Sequence, residues 1–166
     1  MVDIHVWRVS DPSQKICTLK GIHRRAVRQL AFSPDGSKLL SIGCDDKFTA
    51  VVYDWKAKIA LAQIYVNDTP ISCAWKNEQT FATSGVKHLQ TYTLNGSQIK
   101  SQRGSYLSKI SGRNIKMTCV EYVLGGKQLV SGVSNGQIVK WSGNSCNNPT
   151  KAHSGAVYTI EDGQDG

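Results

Sequence analysis

Short apolar runs recur along the whole chain and are separated by turn residues. The runs are rich in Val, Ile, Leu, Tyr, Thr and Trp. We find no window in which apolar residues recur three and four positions apart, as they do in an amphipathic helix. Gly and Asn, which tolerate the positive φ of a tight hairpin turn, stand between the runs in "PDG" (34–36), "NG" (95–96), "GG" (125–126) and "NG" (135–136). The pattern predicts an all-β chain of successive hairpins.

The hairpins repeat at a nearly constant spacing. Repeats open at Val27, Ile71 and Met117, and the run "AVYTI" opens a further one at Val157, so the intervals are 44, 46 and 40 residues. A period of about 40–45 residues is typical of WD repeats, in which four strands make one blade of a β-propeller. The order of residue types recurs as well, because the second strand carries a hydroxyl and the third strand an aromatic. The hydroxyl residues are Ser41, Thr83 and Ser131, and the aromatic residues are Tyr53, Tyr92 and Trp141.

With these features the chain resembles the WD-repeat β-propeller family. In that family a His before the first strand, a Ser or Thr in the second, an Asp in the next turn and a Trp in the third strand form a buried hydrogen-bonded set. The resemblance implies the following set here: His23, Ser41, Asp46, Tyr53, Thr83, Ser131, Asn135, Trp141 and His153.

The repeats depart from the family pattern in several places. Tyr53 stands where the Trp is usual, and the interval from Asp46 to Tyr53 is one residue longer than normal. Asn135 replaces the acid of the third repeat, and the second repeat has no turn acid, because "GVKHLQTY" runs straight through. We therefore expect His88, in that turn, to lie at the surface.

Three stretches narrow the resemblance. "SIGCDDKFTAVVYDWK", "TSGVKHLQTYTLNGSQIKSQRGSY" and "TKAHSGAVY" are similar to repeats of the echinoderm microtubule-associated protein-like family, over most of residues 20–160. The resemblance implies a microtubule-associated protein in the cytoplasm, bound to the cytoskeleton.

The repeats divide the chain into blades. We predict the end of a preceding blade over 1–20, WD repeats over 21–66, 67–108 and 109–150, and the start of a further blade over 151–166. A propeller needs about four to eight blades. We therefore expect the chain to be part of a longer protein and not to close a ring by itself.

The formal net charge of +8 is unevenly placed. No acid occurs between Glu78 and Glu121 or within residues 15–30, and both segments are rich in Lys and Arg. Such segments attract acidic protein, nucleic acid or anionic lipid, and a solvated face without a partner is equally consistent with them. In WD-repeat proteins the loops before the first strand and the turns between the second and third strands share one face. The predicted partner-binding residues on that face are Arg24, Arg25, Lys87, Lys109, Arg113 and Lys116.

The sequence offers little for catalysis. Asp45 and Asp46 are adjacent, so on a strand they point to opposite faces and cannot flank a substrate. The five cysteines form no C-x-x-C pair, the four histidines have no metal spacing, and no G-x-S-x-G or phosphate-binding loop occurs. No apolar window approaches the roughly 18 residues of a membrane span. We predict no enzyme, no cofactor, no metal and no membrane insertion.

The sequence thus favours a non-enzymatic interaction module. Its basic face would bind an acidic protein, which the family resemblance suggests is tubulin or the microtubule. The alternative is a WD-repeat adaptor of another complex, such as a ubiquitin ligase or an RNA-associated assembly. Nucleic acid is the less favoured partner, because the aromatic residues occupy strand positions suited to core packing rather than to base stacking.

Overall fold

The computed structural model describes residues 1–66, 68–105, 110 and 114–163, and every described element is a β-strand or a turn. The predicted all-β class is confirmed. The strands are β1 Ile4–Arg8, β2 Asp11–Leu19, β3 Val27–Phe32, β4 Lys38–Gly43, β5 Thr49–Asp54, β6 Ile59–Tyr65, β7 Pro70–Asn77, β8 Thr80–Gly85, β9 His88–Asn95, β10 Gln98–Arg103, β11 Met117–Val123, β12 Gln128–Val133, β13 Gln137–Ser142, β14 Ser145–Cys146 and β15 Thr150–Lys151.

The strands form consecutive antiparallel sheets. Strands β1 and β2 pair with each other, and we call them the half-blade. Blade 1 contains β3 to β6 and blade 2 contains β7 to β10, each in sequence order. Blade 3 contains β11 to β14, and β15 pairs with the first part of β13. This meander, strand after strand joined by hairpins, is the arrangement that the turn signals predict.

Each blade has two apolar faces because side chains alternate along a strand. On β4, Leu40 packs in a cluster with Trp75 and Phe81 of blade 2. The next residue back, Leu39, packs with Leu19 of the half-blade. The sequence of a strand that is covered on both faces is a continuous apolar run rather than an alternation of apolar and polar residues. Burial of each large apolar side chain contributes roughly 1.5–3 kcal/mol, so the stacked faces hold the blades together.

The first strands of blades 1 and 2 are also joined by hydrogen bonds. Trp75 Nε1 donates to the carbonyl of Ala31 at 3.0 Å, and Gln29 Nε2 donates to the carbonyl of Ile71 at 2.8 Å. Both bonds cross from one sheet to the next. The two blades are therefore fixed in register with each other as well as packed together.

The "PDG" turn between β3 and β4 follows the turn chemistry of its residues. Gly36 has a φ of +67°, and the carboxylate of Asp35 accepts hydrogen bonds from Ser33 Oγ at 2.6 Å and Ser37 N at 3.0 Å. The bonds from Ser33 and Ser37 lower the pKa of Asp35 to about 2. The predicted tight turn is confirmed at this position.

The end of the described chain differs from the prediction. The run "AVYTI" forms no strand in the described structure. Val157 is held against blade 3, because its N–H donates to the carbonyl of Val133 at 3.2 Å and its own carbonyl accepts a hydrogen bond from Thr118 Oγ1. Val157 is buried against blade 3 while Tyr158 is exposed. The segment therefore lies beside blade 3 without a hydrogen-bonded strand ladder.

Candidate functional site: the lead-in face

The loops that lead into the first strands meet the turns between the second and third strands at one end of the blades. In blade 1, Cys44 N donates to Ala26 O at 2.7 Å. In blade 2, Val86 N donates to Thr69 O at 3.1 Å, and in blade 3, Ser134 N donates to Lys116 O at 2.9 Å. We call this end the lead-in face; its described residues are 20–26, 44–48, 68–69, 86–87, 114–116, 134–136 and 152–156.

A buried hydrogen-bonded set braces the lead-in face of blade 1. The ring of His23 is fully buried, with Nε2 2.7 Å from Ser41 Oγ and Nδ1 3.1 Å from Asp45 Oδ2. Burial raises the pKa of Tyr53 above its ordinary value, and the neighbouring Ser41 opposes this shift. Arg24 N donates to Asp45 Oδ1 at 2.7 Å. Desolvation acts to raise the pKa of Asp45, but the hydrogen bonds from Arg24 N–H and His23 outweigh it, so this pKa lies below its ordinary value.

The acid of this set is Asp45, so the prediction of Asp46 was wrong by one position. The carboxyl group of Asp46 is 80% exposed and pairs with Arg25 Nη2 at 2.8 Å. The turn explains the difference. Phe48 N donates to Asp45 O at 3.0 Å, with Phe48 itself in the left-handed region at φ +44°, and this closed turn directs Asp45 inward and Asp46 to solvent.

Gly43 makes room for the pair of His23 and Asp45. A Cβ at Gly43 would lie 2.2 Å from His23 Nδ1 and 2.7 Å from Asp45 Oδ2. Gly43→Ala is therefore expected to push the ring out of position and to lower the free energy of unfolding by about 1–2 kcal/mol. Urea denaturation measures the change. Gly155→Ala is the control, since a Cβ there meets nothing within 4 Å; equal stability of the two variants would contradict the expectation.

Blade 2 contains a second buried set, of which the sequence predicted Thr83 but not His88 or Asp68. His88 is fully buried rather than at the surface, with Nε2 2.5 Å from Thr83 Oγ1. Thr83 Oγ1 lies 3.3 Å from Tyr92 Oη, and His88 Nδ1 lies 3.5 Å from Asp68 Oδ2. Burial lowers the pKa of His88, and the nearby Asp68 carboxylate opposes this. Burial also raises the pKa of Tyr92 to about 12.

The histidine and the acid exchange places between the two blades. In blade 1 the lead-in loop supplies His23 and the turn supplies Asp45; in blade 2 the lead-in loop supplies Asp68 and the third strand supplies His88. Acid, histidine and hydroxyl follow one another in the same order in both, but the acid–histidine contact is a 3.1 Å hydrogen bond in blade 1 and a longer approach of 3.5 Å in blade 2, where His88 Nδ1 has no hydrogen-bond partner among the described residues. The turn of blade 2 contains no acid, so the turn sequence alone does not predict this set. The pattern that predicts it is an acid two residues before the first strand together with a histidine directly after the turn.

Blade 3 has a simpler arrangement. Trp141 Nε1 donates directly to Ser131 Oγ at 2.9 Å. The side chain of Asn135, placed with the set by the sequence, instead closes its own turn by accepting a hydrogen bond from Gln137 N at 3.1 Å. The ring of His153 is exposed, and its predicted place in a buried set stays a prediction. No second strand follows Val157 in the described residues, so nothing there covers the ring.

Basic side chains on the blade 1 part of the lead-in face have acids beside them. Arg24, Arg25 and Lys47 line a cleft of about 580 Å³ together with Asp45 and Asp46. Lys47 Nζ lies 5.3 Å from the ring centroid of Tyr65, another lining residue. The cleft therefore presents both signs of charge and an aromatic ring rather than a purely basic surface.

Basic residues meet at the junction of blades 2 and 3. Lys116 forms an antiparallel bridge with Val86, and Lys87 N donates to Ile115 O at 3.1 Å. Arg103 Nη2 donates to Lys87 O at 3.1 Å. These contacts bring three exposed cationic residues to one place, which we call the basic junction: Lys87, Arg103 and Lys116.

Asp68 is the acid that the structure places at the basic junction, with Oδ2 3.2 Å from Arg103 Nη2. The predicted partner-binding set omitted Arg103, although it lies in the acid-free segment. Lys109 and Arg113, which belong to that set, lie outside the described residues. Of the predicted residues, the structure thus brings Lys87 and Lys116 together at the basic junction. Arg24 and Arg25 lie elsewhere, in the cleft of mixed charge on blade 1, which we call the mixed cleft.

The described residues hold no group of three or more His, Cys, Asp and Glu that could bind a metal ion. Burial raises the pKa of the Cys73 thiol to about 12 and also raises that of Cys119, so neither supplies a thiolate near neutral pH. In the described part of the chain, no helix has the length and apolar character needed to cross a bilayer. The arrangement is suited to binding through exposed loops on a rigid support.

The fold and its repeated sets define the class of the molecule: it is built of WD-repeat β-propeller blades. The β-propeller domain of Cps50 (Swd1) from Myceliophteria thermophila superposes with a TM-score of 0.80, over 96% of this chain and 54% of that one, at 14% sequence identity. No family model matches the chain.

Two curated proteins are similar in sequence. Echinoderm microtubule-associated protein-like 1 of Homo sapiens is 25% identical over 149 residues, which cover 84% of this chain and 18% of that protein. Centriole proteome protein 16 of Chlamydomonas reinhardtii is 34% identical over 95 residues, which cover 55% of this chain and 4% of that protein. The chain thus spans less than a fifth of the length of either relative.

Proposed function

We propose that this protein is a non-enzymatic interaction scaffold whose lead-in face binds an acidic protein surface, with tubulin or the microtubule as the partner. The observation that carries the proposal is the basic junction. Lys87, Arg103 and Lys116 are exposed and come from two blades; backbone contacts join the chain at Lys87 and Lys116, and the Arg103 side chain donates to the Lys87 carbonyl. Charged loops fixed on such a scaffold can recognise a partner at a low cost in ordering entropy.

The choice of tubulin rests on the relatives. One of the two similar proteins is named for microtubule association and the other for the centriole. A protein with this function would be found in the cytoplasm, on the cytoskeleton. Each exposed ion pair with the partner is worth under about 1 kcal/mol, so several must act together, and their main effects are steering and orientation.

Co-sedimentation with microtubules at rising salt tests the proposal. The wild type is expected to pellet at low salt and progressively less as salt screens the charges. The double variant Lys87→Glu, Lys116→Glu is expected to lose most of its binding, because the change of sign repels an acidic surface.

The matched control reverses two exposed lysines in turns at the opposite end of the blades, Lys56→Glu and Lys127→Glu. The control has the same net charge as the test variant. A difference in microtubule pelleting between them therefore reports where the reversed charges lie rather than how many there are. Equal pelleting of the two double variants would rule out the lead-in face as the binding surface.

A second candidate is an adaptor of another complex, such as a ubiquitin ligase or an RNA-associated assembly. The mixed cleft of blade 1 favours a protein component of such a complex, since Arg24 and Arg25 beside Asp45 and Asp46 suit a partner of both charges better than a uniformly acidic one. Under this alternative, the wild type would not pellet with microtubules. Arg25→Glu would weaken its binding to the other partner. An RNA partner would show a steep fall of log K with log salt.

A further inference from the structure

We propose that the basic junction binds carboxylate side chains of an extended acidic peptide, and that Asp68 is a built-in competitor that occupies Arg103 until a carboxylate of the partner replaces it. This inference rests on the proposed function and specifies its chemistry. It assigns Arg103 as the carboxylate-binding residue, with Lys87 and Lys116 as neighbouring cations.

The first step is the state of the Arg103 guanidinium. Its side chain is 60% exposed, and its two contacts with described residues, with Asp68 Oδ2 at 3.2 Å and with Lys87 O at 3.1 Å, use the same nitrogen, Nη2. A guanidinium carries five N–H donors in a planar fork that matches a carboxylate with two parallel hydrogen bonds. Arg103 is therefore oriented by the protein while a further carboxylate can still reach it from solvent.

The second step is the position of Asp68, whose Oδ2 atom has two neighbours, a guanidinium and a histidine ring. Its Oδ2 atom lies 3.2 Å from Arg103 and 3.5 Å from Nδ1 of the buried His88. If a partner carboxylate takes Arg103, Asp68 keeps the histidine as its neighbour and, being 31% exposed, also keeps water. Breaking a buried ion pair is usually costly because it leaves a buried charge without a partner. Release of Asp68 from Arg103 leaves no such charge.

The third step is the balance of energies. An exposed Arg–Asp contact of this kind contributes roughly 0–1 kcal/mol, so the resident acid is replaced at little cost. A bidentate carboxylate on the same guanidinium forms stronger charge-assisted bonds. The main chain at Lys87 and Lys116 is held nearby by the bond to Ile115 O and the bridge to Val86, and these two exposed lysines would attract further acidic residues of the same peptide.

Blade 1 contains a natural comparison. Arg25 and Asp46 also form an ion pair on the lead-in face, at 2.8 Å, but their side chains are 67% and 80% exposed. The buried histidine of that blade, His23, is bound by Asp45 instead of Asp46. Removing the Asp46 carboxylate changes the net charge of the lead-in face by the same amount as removing the Asp68 carboxylate, but it does not act on the basic junction.

The experiment measures binding of a fluorescent oligoglutamate peptide to the 166-residue chain by anisotropy at fixed salt. Asp68→Asn is expected to raise the affinity about three- to fivefold, the equivalent of one exposed ion pair. Asp46→Asn is expected to raise it less than about twofold. Arg103→Gln is expected to lower the affinity about fivefold or more, and Asp68→Asn is expected to give no gain in the Arg103→Gln background.

The outcomes separate the inference from the proposed function. Equal gains from Asp68→Asn and Asp46→Asn, or a gain that persists without Arg103, would overturn the competitor role while leaving the basic face as the binding surface. If the wild type failed to bind the peptide, both would be overturned. The Asp68→Asn change keeps a side-chain oxygen near His88, and a circular dichroism melt identifies any variant that fails to fold. Arg103→Gln, which leaves His88 and Asp68 in place, then still tests the assignment.

Discussion

Replacing Asp45 by Ala is expected to lower the free energy of unfolding by about 2–3 kcal/mol, whereas replacing Asp46 by Ala changes it by less than about 0.5 kcal/mol. Asp45 accepts hydrogen bonds from the buried His23 ring and from Arg24 N, and its loss leaves both donors without their charged acceptor. Asp46 lies in solvent and contacts the exposed Arg25. Chemical denaturation of the two single variants measures the difference.

The comparison of neighbouring aspartates is a strict one, because both variants lose one carboxylate from the same turn. If Asp46→Ala were the more destabilising, the acid of the set would be the one predicted from sequence and the observed turn would be wrong. If both were neutral, His23 would be held by Ser41 and packing alone. A loss of partner binding without a change in melting would place the residue in a binding site instead.

Acid is expected to destabilise blade 2 through His88. Burial lowers the pKa of His88 in the folded chain below the value of about 6.5 of an unfolded histidine. The unfolded chain then binds the proton more readily, so stability falls as the pH drops below about 6.5, by up to about 1.4 kcal/mol per pH unit for one site. Asp68 and Arg103 are the charged groups beside this histidine; the carboxylate opposes the shift and the guanidinium adds to it.

Melting temperatures between about pH 7.5 and pH 5, on either side of the ordinary histidine pKa, check this expectation. His88→Gln is expected to be less stable at neutral pH but to lose less stability on acidification than the wild type. His153→Gln, at an exposed histidine, is expected to keep the pH dependence of the wild type. A wild-type stability that rose on acidification would show that the carboxylate of Asp68 dominates and that the pKa of His88 is raised rather than lowered.

The strands could be predicted because their pattern is strong and local. The run at Lys38–Gly43 is apolar on both faces, and "PDG" and "NG" require turns that few other conformations allow. The short strands β14 and β15 were not predicted. They are two residues each and flank Asn147, Asn148 and Pro149, whose composition indicates a loop, and they pair only because β13 presents a free edge.

The candidate site was predicted less completely, for a physical reason. Whether Asp45 or Asp46 faces His23 depends on one backbone turn with a positive φ at Phe48, a property of the folded loop rather than of residue type. The acid near the buried His88 likewise comes from a loop twenty residues earlier, so the turn sequence alone does not show it. Lys87 and Lys116 could be placed together because the WD-repeat resemblance implies that lead-in loops and the turns between second and third strands share one end of the blades.

Site-specific cross-linking to tubulin tests the central claim, binding through the lead-in face, most directly. A photo-reactive residue would replace the exposed Asn114, beside the basic junction, or the exposed Asn95, in a turn at the opposite end of blade 2. Neither substitution removes a charge, so the electrostatic part of binding stays as in the wild type. We expect a tubulin adduct from position 114 and little or none from position 95. Adducts of equal yield from both positions, or an adduct from position 95 alone, would contradict the account.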